Sequence, residues 1–134
     1  MEVNNTFGPV DIAISGMRAH GKSVEVIHSN VANIRTTDAG KGEPYRRLEA
    51  TLKADGEGLS GVSVGKISAD KGDFLRILDP GNPEADAEGY VSMPNIDLAK
   101  EMINLNMATR AYQTNAAILK RYQKMVETSL ELLR

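Results

Sequence analysis

IDLAKEMINLNMATRAYQTNAAILKRYQKMVETSLELL, residues 96–133, decides the architecture of this chain. Leu98, Leu105, Tyr112, Leu119, Val126 and Leu133 recur at seven-residue intervals, and a second row holds Met102, Thr109, Ala116, Gln123 and Leu130. Spacings of three and four residues put both rows on one side of a helix. A continuous helix over these 38 residues is a rod of roughly 57 Å, against a radius of gyration of about 14 Å for a compact globule of this chain length. The rod outreaches the globule. Its apolar stripe is unfavourable in water at about 25 cal/mol per Å2, so other chains are expected to cover it.

The other end carries a matching signal. Val10, Met17, Val24 and Val31 form one row, with Ala13, His20, Ile27 and Ile34 interleaved. Pro9 suits the first turn of a helix, where its missing N–H is not needed, and Asp11 suits the positive end of the dipole, so the spacing predicts a helix from Pro9 to Ile34. Gly16 and Gly21 inside it each cost on the order of 1 kcal/mol relative to alanine, which suggests positions kept small for close packing. Between the two helical ends the period turns toward two, over 45–52, 61–67 and 74–78, with Gly-rich and Asp-Gly turns between. Asp79-Pro80-Gly81-Asn82-Pro83 is a turn by composition, and 89–94 an extended lead into Asn95, which reads as the cap of the last helix. The expected fold is mainly α with a small β region. Long N- and C-terminal helices pair as a coiled-coil-like bundle, with short central antiparallel strands. Residues 1–36 and 95–134 together form the helical core, and 37–94 the central loop and strand region.

The polar faces of both helices are short of charge. Between Glu101 and Lys120 the only charged residue is Arg110, and between Ser23 and Ile34 only Glu25. A solvated face normally carries more. Ala, Thr, Asn, Gln and Met fill these stretches instead, which points to contact on more than one side. The 134 residues carry a net charge of −2 with the two signs interspersed, so no basic footprint exists for nucleic acid or an anionic membrane. There is no cysteine, hence no disulfide, thiol nucleophile or sulfur-ligated metal. Residues 1–30 lack the pattern of a cleaved secretory signal, and no stretch approaches the roughly 20 apolar residues of a membrane span.

Candidate chemistry is weak throughout. Gly56-Glu57-Gly58-Leu59-Ser60-Gly61 has the glycine spacing of a dinucleotide fingerprint, but it leads into the alternating Val62-Ser63-Val64 rather than a helix, so a hairpin loop is expected. His20 and His28 lie eight residues apart on a helix, about 80° around its axis and about 12 Å along it, too far for one metal ion. Asp79, Glu84, Asp86 and Glu88 lack the ligand alternation of a calcium loop. No catalytic, cofactor-binding or metal residues are assigned, and no enzyme activity is expected.

Specific words in the chain carry more than its periodicities. Ser29-Asn30-Val31-Ala32-Asn33 resembles the signature near the N-terminus of bacterial flagellar axial proteins. Pro44-Tyr45-Arg46-Arg47, then Asp79-Pro80-Gly81-Asn82-Pro83 with Ala85-Asp86-Ala87, Gly89-Tyr90-Val91 and Met93-Pro94-Asn95, resemble the proximal-rod branch of that family. Glu101-Met102 and Thr109-Arg110-Ala111-Tyr112 with Asn115 complete the pattern, which runs from about Phe7 to Leu133. The resemblance implies a structural subunit of the flagellar basal-body rod, exported by the flagellar type III apparatus without signal cleavage. It would assemble in the periplasm with itself and other axial proteins into a tube that transmits torque and serves as an export channel. The terminal helices would line the inner layer of that tube, without nucleic acid, cofactor or direct membrane insertion. Subunit packing is expected at Val10, Met17, Val24, Ile27, Asn30, Val31 and Asn33, and at Leu98, Met102, Leu105, Tyr112, Asn115, Leu119, Val126, Leu130 and Leu133. Export recognition in this family is associated with a phenylalanine followed four residues later by an apolar residue. Here Asp11 follows Phe7 at that distance, so no export signal is assigned. A different axial subunit, or a soluble coiled-coil adaptor, would share the terminal stripes.

Overall fold

A computed structural model describes residues 8–58 and 60–133; Phe7 and Leu59 lie outside the described residues. Two helices, α1 (Pro9–Ala32) and α2 (Leu98–Leu132), bracket four strands, β1 (Leu48–Ala54), β2 (Val62–Ala69), β3 (Leu75–Leu78) and β4 (Tyr90–Met93). The chain is thus mainly α with a small β region. Pro9 opens α1 with Asp11 in its first turn, and Asn33 closes it, its backbone N–H and its Nδ2 both donating to the Ser29 carbonyl. The helix stops two residues short of Ile34 because Asn33 leaves helical geometry and Thr36 folds back on its Oδ1 at 3.1 Å. The cap of α2 is Asp97, not Asn95: its Oδ1 accepts from Ala99 N at 2.9 Å and Lys100 N at 3.3 Å, satisfying amides that the first turn leaves without partners.

The helices run antiparallel. Asn30 near the end of α1 meets Glu101 at the start of α2, and Gly16 lies against Asn115. β1 and β2 form an antiparallel hairpin with an irregularity between Thr51 and Leu52, where Gly65 is the extra residue opposite. The hairpin lies across α1. The Ser15 hydroxyl accepts from Val62 N at 3.1 Å, and a Cβ on Gly61 would fall 2.5 Å from Ser15 Oγ. The glycine-spaced stretch is therefore a hairpin turn, with Gly56 and Gly58 at positive φ and Gly61 kept bare for contact with α1.

β3 and β4 form a second antiparallel ribbon. Its long connection is self-bonded: Asp79 N donates to the Gly89 carbonyl and Asp86 N to that of Tyr90. Asp86 Oδ1 accepts from the amides of Glu88 and Tyr90, while Oδ2 takes the Arg76 guanidinium at 2.6 Å. That guanidinium also sits 4.8 Å over the Tyr90 ring. The Tyr90 amide first, then the Arg76 guanidinium and the Glu88 amide, hold the Asp86 carboxyl below its ordinary range, and Asp86 in turn raises Arg76.

The fully buried apolar residues are few: Ala13, Ala19, Val26, Ile27, Val91, Ile96 and Ala108. On α1 the buried face is Ala13, Gly16, Ala19, Val26, Ile27 and Asn30, whereas Val10, Met17, Val24 and Val31 are half-buried. That face is rotated by about 100° from the strongest apolar row. The reason is packing on two sides: α2 and the hairpin both press on α1, and small residues let their backbones approach.

Gly16 and Gly21 then differ. A Cβ at Gly16 would stand 2.7 Å from Asn115 Nδ2, but at Gly21 it would meet only the Tyr112 ring at 3.8 Å, an ordinary contact. Gly21→Ala is expected to raise stability by about 0.5–1 kcal/mol through helix propensity, and Gly16→Val to lower it by about 2 kcal/mol through overpacking, both read by urea unfolding. The Asp86 carboxylate stabilises its loop fully above the ordinary carboxyl range and loses that effect as pH falls through its lowered value. An NMR titration should place the Asp86 midpoint below that of an unstructured aspartate, with the Tyr90 amide signal moving alongside; a midpoint at or above it contradicts the loop geometry.

Candidate assembly surface

The end of α1, the start of β1 and the first turn of α2 converge on two fully buried polar side chains, Asn30 and Glu101, each with 0% exposure. Asn30 behaves like a short piece of strand. Its Oδ1 accepts from Leu48 N at 2.8 Å and its Nδ2 donates to the Leu48 carbonyl at 2.8 Å, so one amide pairs with both backbone groups of β1's first residue. Nδ2 also reaches Glu101 Oε2 at 3.1 Å, and the other oxygen of Glu101 takes Arg47 Nε at 2.7 Å. Tyr45 donates its hydroxyl to Asn30 Oδ1 at 3.2 Å and lies 3.1 Å from the Ser29 hydroxyl. No buried side-chain polar atom among the described residues lacks a partner. A carboxylate removed from water this completely is tolerable only when its charge and lone pairs are matched.

This cluster gathers words that are scattered in the sequence. Ser29, Asn30 and Asn33 supply the knot and the helix cap, Tyr45 and Arg47 come from the Pro44–Arg47 stretch, and Glu101 from the start of α2. Periodicity gave no hint of the Arg47–Glu101 pair. The available signal was a lone acid opening a stretch almost empty of charge. Ala32, Asp79, Pro80, Gly81, Pro83, Asp86, Gly89, Tyr90, Pro94 and Asn95 fall elsewhere, mostly in the β3–β4 connection and the approach to α2. Arg110, Ala111 and Tyr112 lie midway along α2, and Arg110 is exposed.

Around this knot the molecule leaves much apolar surface bare. α2 fully buries only Glu101 and Ala108. Leu105, Asn115 and Leu119 are half-buried, while Leu98, Met102, Ile103, Met107, Tyr112, Ile118, Val126, Leu130 and Leu133 are exposed, Leu133 at 84%. From Lys120 to Leu133 every residue is exposed, because α1 runs out alongside. Leu75, Ile77 and Leu78 of β3 are exposed too. So much large apolar surface on a chain of this size marks sites of protein contact. Two open grooves of about 470 Å3 flank the helix pair: one between α1, β1 and α2, lined by His20, Ile27, Leu52 and Met107, and one on the opposite side, lined by Ile14, Met17, Gly21, Tyr112 and Leu119. Among the described residues no cluster of His, Asp or Glu is suited to hold a metal ion, and no helix is long and apolar enough to cross a membrane.

Comparison with known proteins follows the same segments. Residues 87–132, β4 and α2, match the family described as Flagellar basal body rod FlgEFG protein C-terminal. The chain is 35% identical over 127 residues to Flagellar basal-body rod protein FlgC of Agrobacterium fabrum, covering 92% of this chain and 91% of the relative. It is 35% identical over 145 residues to the protein of that name from Bacillus subtilis (94% and 97% covered) and 37% over 125 residues to that from Salmonella typhimurium (91% and 93%).

The buried pair sets a test of what holds the helices in register. Arg47→Met should cost about 3 kcal/mol in urea unfolding, because it strands a buried charge, and Arg47→Met with Glu101→Leu should recover more than half of that loss. A double-variant loss equal to the sum of the two single-variant losses would show that the pair carries no coupling.

Proposed function

The chain belongs to the family of flagellar basal-body rod protein FlgC, and from that premise we propose that it polymerises with itself and other axial proteins into the proximal rod, the tube that transmits torque and serves as an export channel. It is a structural subunit of the flagellar basal body, assembling with other basal-body rod proteins, and not an enzyme. In this reading residues 1–36 and 95–134 form the axial helical core and 37–94 pack outside it. The observation that carries the proposal is the length of α2, which exposes large apolar residues on several sides, has only Arg110 charged between Glu101 and Lys120, and outruns the helix it pairs with. A wall of parallel helices demands such faces. The half-buried Val10, Met17, Val24 and Val31 belong to the same contact set, and Ile27, Asn30 and Asn33 support it from within.

Passage through the flagellar type III apparatus to the periplasm, without a cleaved signal, fits the same design. The fully buried apolar core is small, no disulfide fixes it, and each β ribbon has two strands, an arrangement marginal on its own. Such a chain unfolds for transport at low cost and gains its remaining burial on arrival. A chain ending at Lys120 separates folding from assembly. It should keep the helix content and melting temperature of the shared residues within a few degrees, yet fail to restore swarming to cells lacking the subunit. Restored swarming would sink the assembly role of the α2 end.

A further inference from the structure

We propose that the groove beside α1 receives the C-terminal end of an α2-type helix from an adjacent rod subunit, running antiparallel to α1. The inference rests on the reading of the chain as a rod subunit and names the two surfaces that meet. The groove has an apolar floor of Ile14, Met17, Gly21 and Leu119, with Arg18 and Lys22 on one wall beside Glu25, which pairs with Lys22 and leaves Arg18 as the unpaired charge there among the described residues. A trough between two packed helices is the natural seat of a third.

Gly21 shows that the trough is kept open. Gly16 is explained within the chain by Asn115, but the space above Gly21 holds only the Tyr112 ring at ordinary contact distance. The helix nevertheless forgoes about 1 kcal/mol of propensity there relative to alanine. A bare backbone at the floor of an apolar trough admits a neighbouring helix at close range.

The end of α2 has the complementary form. Val126 and Leu130 lie on its two adjacent apolar rows, and each is followed by an acid, Glu127 and Glu131. On α1, Met17 and Gly21 lie on the trough floor, and each is followed by a base, Arg18 and Lys22. Both charged pairs are four residues apart and sit on the same rotational side of their apolar row, about 100° around the helix. Flanks on the same side meet only when two helices face each other antiparallel. Among the described residues Arg18 and Glu131 enter no ion pair, Lys22 bonds only its neighbour Glu25, and Glu127 stands 3.8 Å from Lys124. Since α1 opposes its own α2, an incoming helix antiparallel to α1 runs parallel to the host's α2. Because the bare end of α2 is displaced along the helix axis from the trough, a neighbour in this polarity makes a head-to-tail contact, which builds open filaments rather than closed dimers. The matched family segment, residues 87–132, covers α2, so other rod subunits of that description offer a helix of this type.

The test places the photo-reactive amino acid p-benzoylphenylalanine at Lys22 in cells and maps its adducts in isolated basal bodies. Adducts on the C-terminal helix of a rod subunit, this chain's or another's, support the proposal; adducts on residues 1–7 of the same chain, on an N-terminal helix or on a protein outside the rod overturn it. In parallel, Gly21→Leu should leave the purified chain's melting temperature unlowered while reducing its incorporation into basal bodies by about tenfold. Should that variant melt lower, the exposed Arg18→Glu takes its place, and normal incorporation of the stably folded variant counts against the groove. Failure of the unaltered chain to enter basal bodies would instead remove the rod-subunit reading, and the groove proposal with it.

Discussion

A single buried carboxylate organises this molecule. Glu101 sits at the first turn of α2 with no exposure, and leaving it there unpaired would cost several kcal/mol. Its two oxygens are met from different directions, by Arg47 at the entry to β1 and by Asn30 near the end of α1. Asn30 adds a two-way bond to the Leu48 backbone, so the position of the strand, of one helix and of the other is fixed by one set of contacts. The surrounding apolar core is too small to select one register unaided, since alanines and a few branched residues slide past each other with modest penalty. A satisfied polar knot does not slide, because every displaced arrangement leaves a buried charge or amide without its partner.

Much of this fold was legible from spacing alone. The long C-terminal helix, the Pro9 start of the first, the hairpin over the glycine-rich loop and the extended stretches before α2 all follow from period and turn chemistry. The errors have physical causes. Asn95 and Asp97 are both good caps, and the choice between them depends on where the chain leaves β4, which only the fold determines. The strongest apolar row of α1 is half-buried because two neighbours compete for the helix, and close packing rewards Ala13, Gly16 and Ala19 over larger residues. The pieces of the polar knot, Asn30, Tyr45, Arg47 and Glu101, stand in separate words of the sequence, and nothing in a linear sequence says that positions 71 residues apart share a hydrogen bond.

The distinctive words of the family divide the same way. The stretch from Asp79 to Tyr90 is loop chemistry: Asp86 gathers two amides and a guanidinium, and Asn82 Oδ1 takes the Glu84 amide at 3.0 Å. These residues shape a surface element without a large core beneath it, since all of β3 is exposed. The Ser29–Asn33 signature instead closes a helix and locks it to its neighbours. One word shapes an exposed surface element, and the other holds the frame that carries it.

The frame is unequal by design. α2 has 35 residues and α1 has 24, so the shared seam ends while the apolar row of α2 continues. The bare end therefore lies beyond the Pro9 end of α1, whereas the trough over Gly21 lies alongside the paired length. A surface displaced along the helix axis from its complement cannot be satisfied by its own chain or by a two-fold partner that brings like ends together. It is satisfied by a neighbour shifted along the axis in the same direction, and that neighbour's own end is left bare in turn. An assembly built this way grows with a polarity set by its subunits and stops only where a different subunit, with a covered end or a filled trough, takes the last place.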